Sequence, residues 1–119
     1  MEELTNYKQL KMKSPKIMTG YEFKKKYPDT IFLKLIPINM ISRDYVFNLG
    51  LNIDANFDNI NHRRGLHFSS SQKIFIWEKK LDFYGQYNIF SVDIPDDAIV
   101  RDYEDGIVYN ANKIIISEI

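Results

Sequence analysis

Apolar and polar positions alternate with period two along much of this chain, and in one stretch the period lengthens to three or four. Leu66 and Phe68 flank His67, the pattern of a half-buried strand. Ser69, Ser70 and Ser71 follow, with hydroxyls able to accept from the orphan N–H groups of a helix start. Ile74, Trp77, Leu81 and Tyr84 then recur at helical spacing, one face of a short amphipathic helix that Gly85 would stop. This strand, turn and helix contain the only tryptophan of the protein. Phe68, Ile74, Trp77 and Leu81 are therefore the expected core anchors.

Other elements flank that unit. Tyr21–Tyr27 reads as a short helix or an irregular segment, the helical option resting on Thr19 and Glu22, spaced as a capping box. Residues 30–36 predict a strand broken by Pro37, and residues 44–52 predict another, with Tyr45, Phe47 and Leu49 on one face and a bulge at Gly50. The chain between Asn52 and Arg64, rich in Asn and Asp, predicts a loop. Residues 87–95 predict a strand closed by Pro95, with Asp96-Asp97 as a turn. Residues 98–103 and 107–116 predict two more strands joined by an acidic hairpin at Glu104-Asp105-Gly106. Ile114-Ile115-Ile116 is apolar on both faces, as in a strand covered on both sides. The fold class expected is α+β: a small, mostly antiparallel twisted sheet with one short helix packed on a face.

Composition narrows the options. The 119 residues, 45% hydrophobic and 14% aromatic, suffice for one domain with its own core. No cysteine is present, which excludes disulfides and thiolate-held zinc or iron–sulfur sites and fits a reducing compartment. No apolar run reaches the length of a membrane span, and no membrane role is expected. Net charge is zero but uneven: seven lysines against three glutamates give residues 1–26 a charge of +4, leaving −4 on the remaining 93. Residues 1–16, ending at Ser14-Pro15, are expected to be a flexible basic arm, with residues 17–119 a single globular domain. The lysine arm, with Tyr7 in it and Tyr21, Phe23 and Tyr27 just beyond, would suit nucleic acid, but no recognition motif accompanies them and solvated lysines are the simpler expectation.

Chemistry is sparse. The segment from His62 through Arg63, Arg64, Gly65 and His67 combines imidazoles with guanidiniums. Arg63, Arg64 and His67 are thus candidates for contact with an anion or a partner, Gly65 admitting close backbone approach. The alternative is that the arginines pair with Asp54, Asp58 or the acidic hairpin while His67 bonds locally. Metal binding by His62 and His67 would need a carboxylate from elsewhere, and no metal is expected. Asp93, Asp96 and Asp97 could be paired carboxylates but are more simply the polar end of a strand. No catalytic residue and no cofactor is assigned. An ADP-ribosyltransferase-like site would draw on His67, Tyr103 or Tyr109, and Glu118.

From Phe32 onward the order of landmarks resembles the N-terminal domain that precedes ankyrin repeats in giant-virus (mimivirus-type) proteins. The pieces are Phe32-Leu33-Lys34-Leu35, Leu49-Gly50-Leu51-Asn52-Ile53-Asp54 and Gly65-Leu66-His67-Phe68. Ile74, Trp77, Tyr84-Gly85, the run from Val92 to Ala98, and Ala111-Asn112-Lys113-Ile114-Ile115-Ile116 continue the order. Abundant Ile, Asn, Lys, Tyr and Phe fit an AT-rich genome. No repeats follow Ile119, so the resemblance implies a stand-alone relative or a piece of a longer repeat protein. It transfers no catalytic residue. What it implies is a non-enzymatic protein–protein interaction domain with an uncharacterised viral or host partner, placed in the host cytoplasm or the virion. The alternatives are the ADP-ribosyltransferase-like enzyme and nucleic-acid binding through the arm. The contact surface is expected on an open sheet edge or on the aromatic N-terminal segment.

Overall fold

The computed structural model describes residues 14–57, 65–76 and 86–119. The chain opens with strand β1 (Lys16–Thr19), which runs directly into helix α1 (Gly20–Lys26). Thr19 makes the junction. Its hydroxyl accepts from the Glu22 N–H at 3.1 Å, and the Glu22 carboxylate accepts from the Thr19 N–H at 3.1 Å. Two orphan donors are thereby satisfied reciprocally, so the capping box is real and the helical option holds. Of the expected arm, only residues 14–16 are among those described, and Lys16 already belongs to β1.

The remaining strands are β2 (Phe32–Pro37), β3 (Ile41–Ser42), β4 (Tyr45–Val46), β5 (Gly50–Ile53), β6 (Leu66–Ser70), β7 (Tyr87–Asp93), β8 (Ile99–Asp102), β9 (Tyr109–Ala111) and β10 (Lys113–Glu118). Eight of these strands form one sheet in the order β1-β8-β9-β6-β2-β7-β10-β5, and β3 pairs with β4 as a separate hairpin. Every neighbouring pair is antiparallel. The result is a small, mostly antiparallel α+β fold, with β1 and β5 at the two open edges. Its core lies on one face, where Phe32, Ile36, Phe90, Val92, Ile114 and Ile116 meet Leu66, Phe68, Val100 and Tyr109. Phe23 of α1 inserts among them, its ring 5.0 Å from that of Phe32 and 5.3 Å from that of Tyr109.

Three departures from the sequence pattern have local causes. Residues 44–52 are not one strand: β4 ends at Val46 and β5 begins at Gly50, where φ is 93°. Asn52 holds this break, since its buried side chain accepts from the Asn48 N–H at 3.0 Å and donates to the Asn48 carbonyl at 2.8 Å. Residues 107–116 divide at Asn112, whose side chain accepts from the Ile99 N–H at 2.8 Å. There the chain passes from β9, paired with β6 and β8, to β10, paired with β7 and β5. Ser69 and Ser70 do not cap a helix. They lie in β6, and the Ser70 hydroxyl donates to the Gly106 carbonyl at 2.8 Å, tying the strand to the acidic hairpin. Helical residues begin only at Ile74.

α1 is seated by a close approach that only glycine permits. A Cβ at Gly20 would lie 1.8 Å from the Pro95 carbonyl oxygen, while the Gly20 N–H donates to Ala98 at 2.8 Å. Gly20→Ala must push the helix off the residues after β7, an overpacking cost of about 1–3 kcal/mol or more. Chemical denaturation checks this, and an unchanged midpoint would refute it.

Candidate functional site

Strands β2 and β6 pair only at Phe32↔Ser70 and Leu33↔Ser69. Beyond Leu33 they part company: β2 continues along β7 to Pro37↔Tyr87, while β6 runs along β9. The opening between them is a cleft of about 340 Å³. Leu33, Lys34 and Leu35 line one wall and Leu66, His67 and Phe68 the other, with the β3–β4 hairpin, Asp54 and Ile74 around the rim.

Lys34 is the unusual member. It faces the same side of β2 as the core residues Phe32 and Ile36, and its cross-strand partner is the buried Phe90. Its ammonium donates to the His67 carbonyl across the cleft and lies 5.0 Å from the centre of the Phe47 ring. Withdrawal from water, reinforced by repulsion from Arg43, lowers its pKa from the ordinary 10.5 to about 7. Although Asp44 and Asp54 also line the cleft, neither makes an ion pair with Lys34. The Asp54 carboxylate instead accepts from the Gly65 N–H at 2.8 Å and the Asn56 N–H at 2.9 Å.

Arg43 and Asp44 form the two-residue tip of the β3–β4 hairpin, with φ of 51° and 65°. Both occupy the left-handed region usually filled by Asn or Gly in such turns, at a cost of about 1–2 kcal/mol each. The turn places the exposed Arg43 at the cleft mouth, and no ion pair among the described residues neutralises it.

His67 faces away from the aromatic core. Its Nε2 lies 3.5 Å from the Asn110 side-chain nitrogen, and Asn110 accepts from the buried Arg101 at 3.3 Å, a polar row across β6, β9 and β8. The Arg101 guanidinium is 4.0 Å from the centre of the Phe57 ring. Burial, with Lys34 and Arg43 nearby, pushes the His67 pKa down to about 3, so the imidazole is neutral at physiological pH.

A second buried charge provides contrast. Asp102, fully buried, accepts from Lys26 at 2.7 Å, the Tyr27 hydroxyl at 2.8 Å and the Glu104 N–H at 2.8 Å. That carboxylate is fully provided for, as buried charges normally are. Lys34 is not.

Among the residues singled out from sequence, Phe68 is buried in the core, and Ile74 is half-buried on the cleft rim. Arg63, Arg64, Trp77 and Leu81 lie outside the described residues, as does His62. Gly65 has φ of 111°, but its N–H already serves Asp54. Of the enzyme triple, His67 reaches the cleft and Tyr103, half-buried just after β8, has its hydroxyl beside the Asn110 side chain, whereas Tyr109 is buried in the aromatic core on the face opposite His67 and Glu118 sits exposed at the end of β10, across β7 from β2. Asp96 and Asp97 pair with Lys24 and Lys113, each at 2.7 Å. Lys16 and Lys26, from the basic N-terminal quarter, pair with Glu104 at 3.5 and 3.1 Å.

Lys34 and Arg43 were missed from sequence. For Lys34 a signal existed, because alternation through Phe32, Lys34 and Ile36 puts it on the inward face. No family model matches the chain, and neither a curated protein nor a solved structure does. No helix among the described residues is long and apolar enough to cross a membrane.

Proposed function

We propose that this chain is a non-enzymatic interaction domain that takes an acidic side chain of a partner protein into the cleft between β2 and β6. One observation carries the reading: the Lys34 ammonium faces the cleft without a carboxylate partner among the described residues. A desolvated cation of this kind is favourable only when an anion meets it. Arg43 at the mouth supplies a second, forked donor with carboxylate geometry. Neutral His67 adds no competing charge. The order of landmarks shared with the N-terminal domains of giant-virus ankyrin-repeat proteins supports a viral setting, in the host cytoplasm or the virion.

Calorimetric titration with a glutamate-rich peptide tests this. Affinity should fall about tenfold or more with Lys34→Met, several-fold with Arg43→Gln, and further as salt rises. Equal affinity for the matching glutamine peptide, or binding unaffected by Lys34→Met, would sink the reading.

A further inference from the structure

We infer that Lys34 is a carbonyl-capturing amine whose Nζ forms a Schiff base with a small 2-oxo acid in the cleft, the acid's carboxylate lying against Arg43. The inference shares the cleft of the proposed function but does not depend on a protein partner.

Four features support it. Lys34 projects from the core-facing side of a central strand, so its amine is fixed by the strand rather than by a mobile surface stem. One N–H is held by the His67 carbonyl, orienting the nitrogen toward the space between β2 and β6. That space, about 340 Å³, accommodates a small ligand, and Leu33, Leu35, Phe47, Leu66 and Phe68 give it apolar walls. The cationic Arg43 beside a desolvated lysine is the environment that releases a free, nucleophilic amine near neutral pH. The other charged or titratable groups facing the cleft are Asp44, Asp54, Tyr45 and the neutral His67. None of them pairs with the ammonium.

The step balances without an external oxidant or reductant. The free amine adds to the carbonyl carbon, forming the C–N bond, and a proton passes from nitrogen to the carbonyl oxygen. The carbinolamine then expels that oxygen as water, with one further proton, leaving a protonated imine. Its positive charge replaces that of the original ammonium. Arg43, opposite the 2-oxo acid's carboxylate, favours this ligand class over neutral carbonyls.

Trapping tests the inference directly. The intact protein is incubated with pyruvate and cyanoborohydride near pH 7, which reduces any imine to a stable secondary amine, and the modified residues are mapped by mass spectrometry. At that pH an ordinary lysine is about a thousandfold less deprotonated than Lys34. Lys34 should therefore be labelled at least about tenfold faster than any other lysine side chain, even after allowance for restricted access. Arg43→Gln should slow labelling by both pyruvate and acetaldehyde, through a higher Lys34 pKa, but labelling by pyruvate by a larger factor than labelling by acetaldehyde, which has no carboxylate contact to lose. Lys34→Arg, which keeps the charge and loses the nucleophile, should abolish the adduct. Labelling spread over exposed lysines with Lys34 unmodified would overturn the inference, and this readout needs only the unmutated protein. Trapping that fails while peptide binding persists removes this inference alone. Peptide binding that fails while trapping persists removes the docking reading alone.

Discussion

Phe23→Ala is expected to cost about 3–5 kcal/mol, a large share of the total stability of a domain this size. Phe23 has no exposed surface, although α1 is only seven residues long. A helix that short has little stability of its own, so it is held by what it buries. Its ring is ringed by others: Phe32 at 5.0 Å, Tyr27 at 5.2 Å, Tyr109 at 5.3 Å and Phe68 at 5.9 Å. Most of these contacts are edge-to-face, the arrangement that adds electrostatic attraction to burial. Truncation leaves a cavity among these four rings. Phe23→Leu should recover more than half of the loss. A urea midpoint for Phe23→Ala equal to that of the parent would mean α1 is not part of the core.

Lys34→Met should act in the opposite direction, raising stability at neutral pH by about 1–4 kcal/mol and flattening its dependence on pH. The sign follows from proton counting. Folded Lys34 loses its proton near pH 7, whereas the unfolded chain keeps it to about 10.5. Between these values the unfolded state binds more protons, so stability rises with pH. Below pH 7 both states are protonated and the full cost of burying the ammonium applies, at most about 5 kcal/mol and less because the side chain keeps some access to water. Tyr109, buried and held protonated in the fold, opposes the trend once free tyrosine ionises. The clean window therefore runs from about pH 7 to 9.5. In Lys34→Met that rise should vanish. His67, depressed to about 3 by burial and by Lys34, gives a separate loss of stability as pH falls from about 6.5 toward 3. A parent protein whose stability is flat between pH 7 and 9.5 would contradict the placement of Lys34.

Much of the fold was legible locally. Thr19 and Glu22 encode the start of α1 three residues apart, and alternation alone finds β2, β6 and β7. What alternation could not find were the breaks. Asn52 and Asn112 look like ordinary polar residues in strand-like runs, yet each side chain takes over a backbone hydrogen bond and turns the chain. The serines after Phe68 look like helix caps locally, whereas the partner of the Ser70 hydroxyl, the Gly106 carbonyl, lies 36 residues away. The cleft is less legible still, since it arises where two strands distant in sequence separate after a two-residue pairing. Arg43 and Asp44 carry none of the glycine or asparagine that normally marks a left-handed turn. Of the site, the chain alone offered two clues: His67 between two core residues, and a lysine in register with Phe32 and Ile36.

The protonation state of Lys34 bears most directly on all of this. It can be followed by titrating the ¹³Cε resonance of the Lys34 side chain, assigned by its loss in Lys34→Met. A midpoint near 7 is expected, moving upward when a glutamate-rich peptide occupies the cleft, because a bound anion favours the charged form. A midpoint near the ordinary 10.5, unmoved by the peptide, would contradict the account.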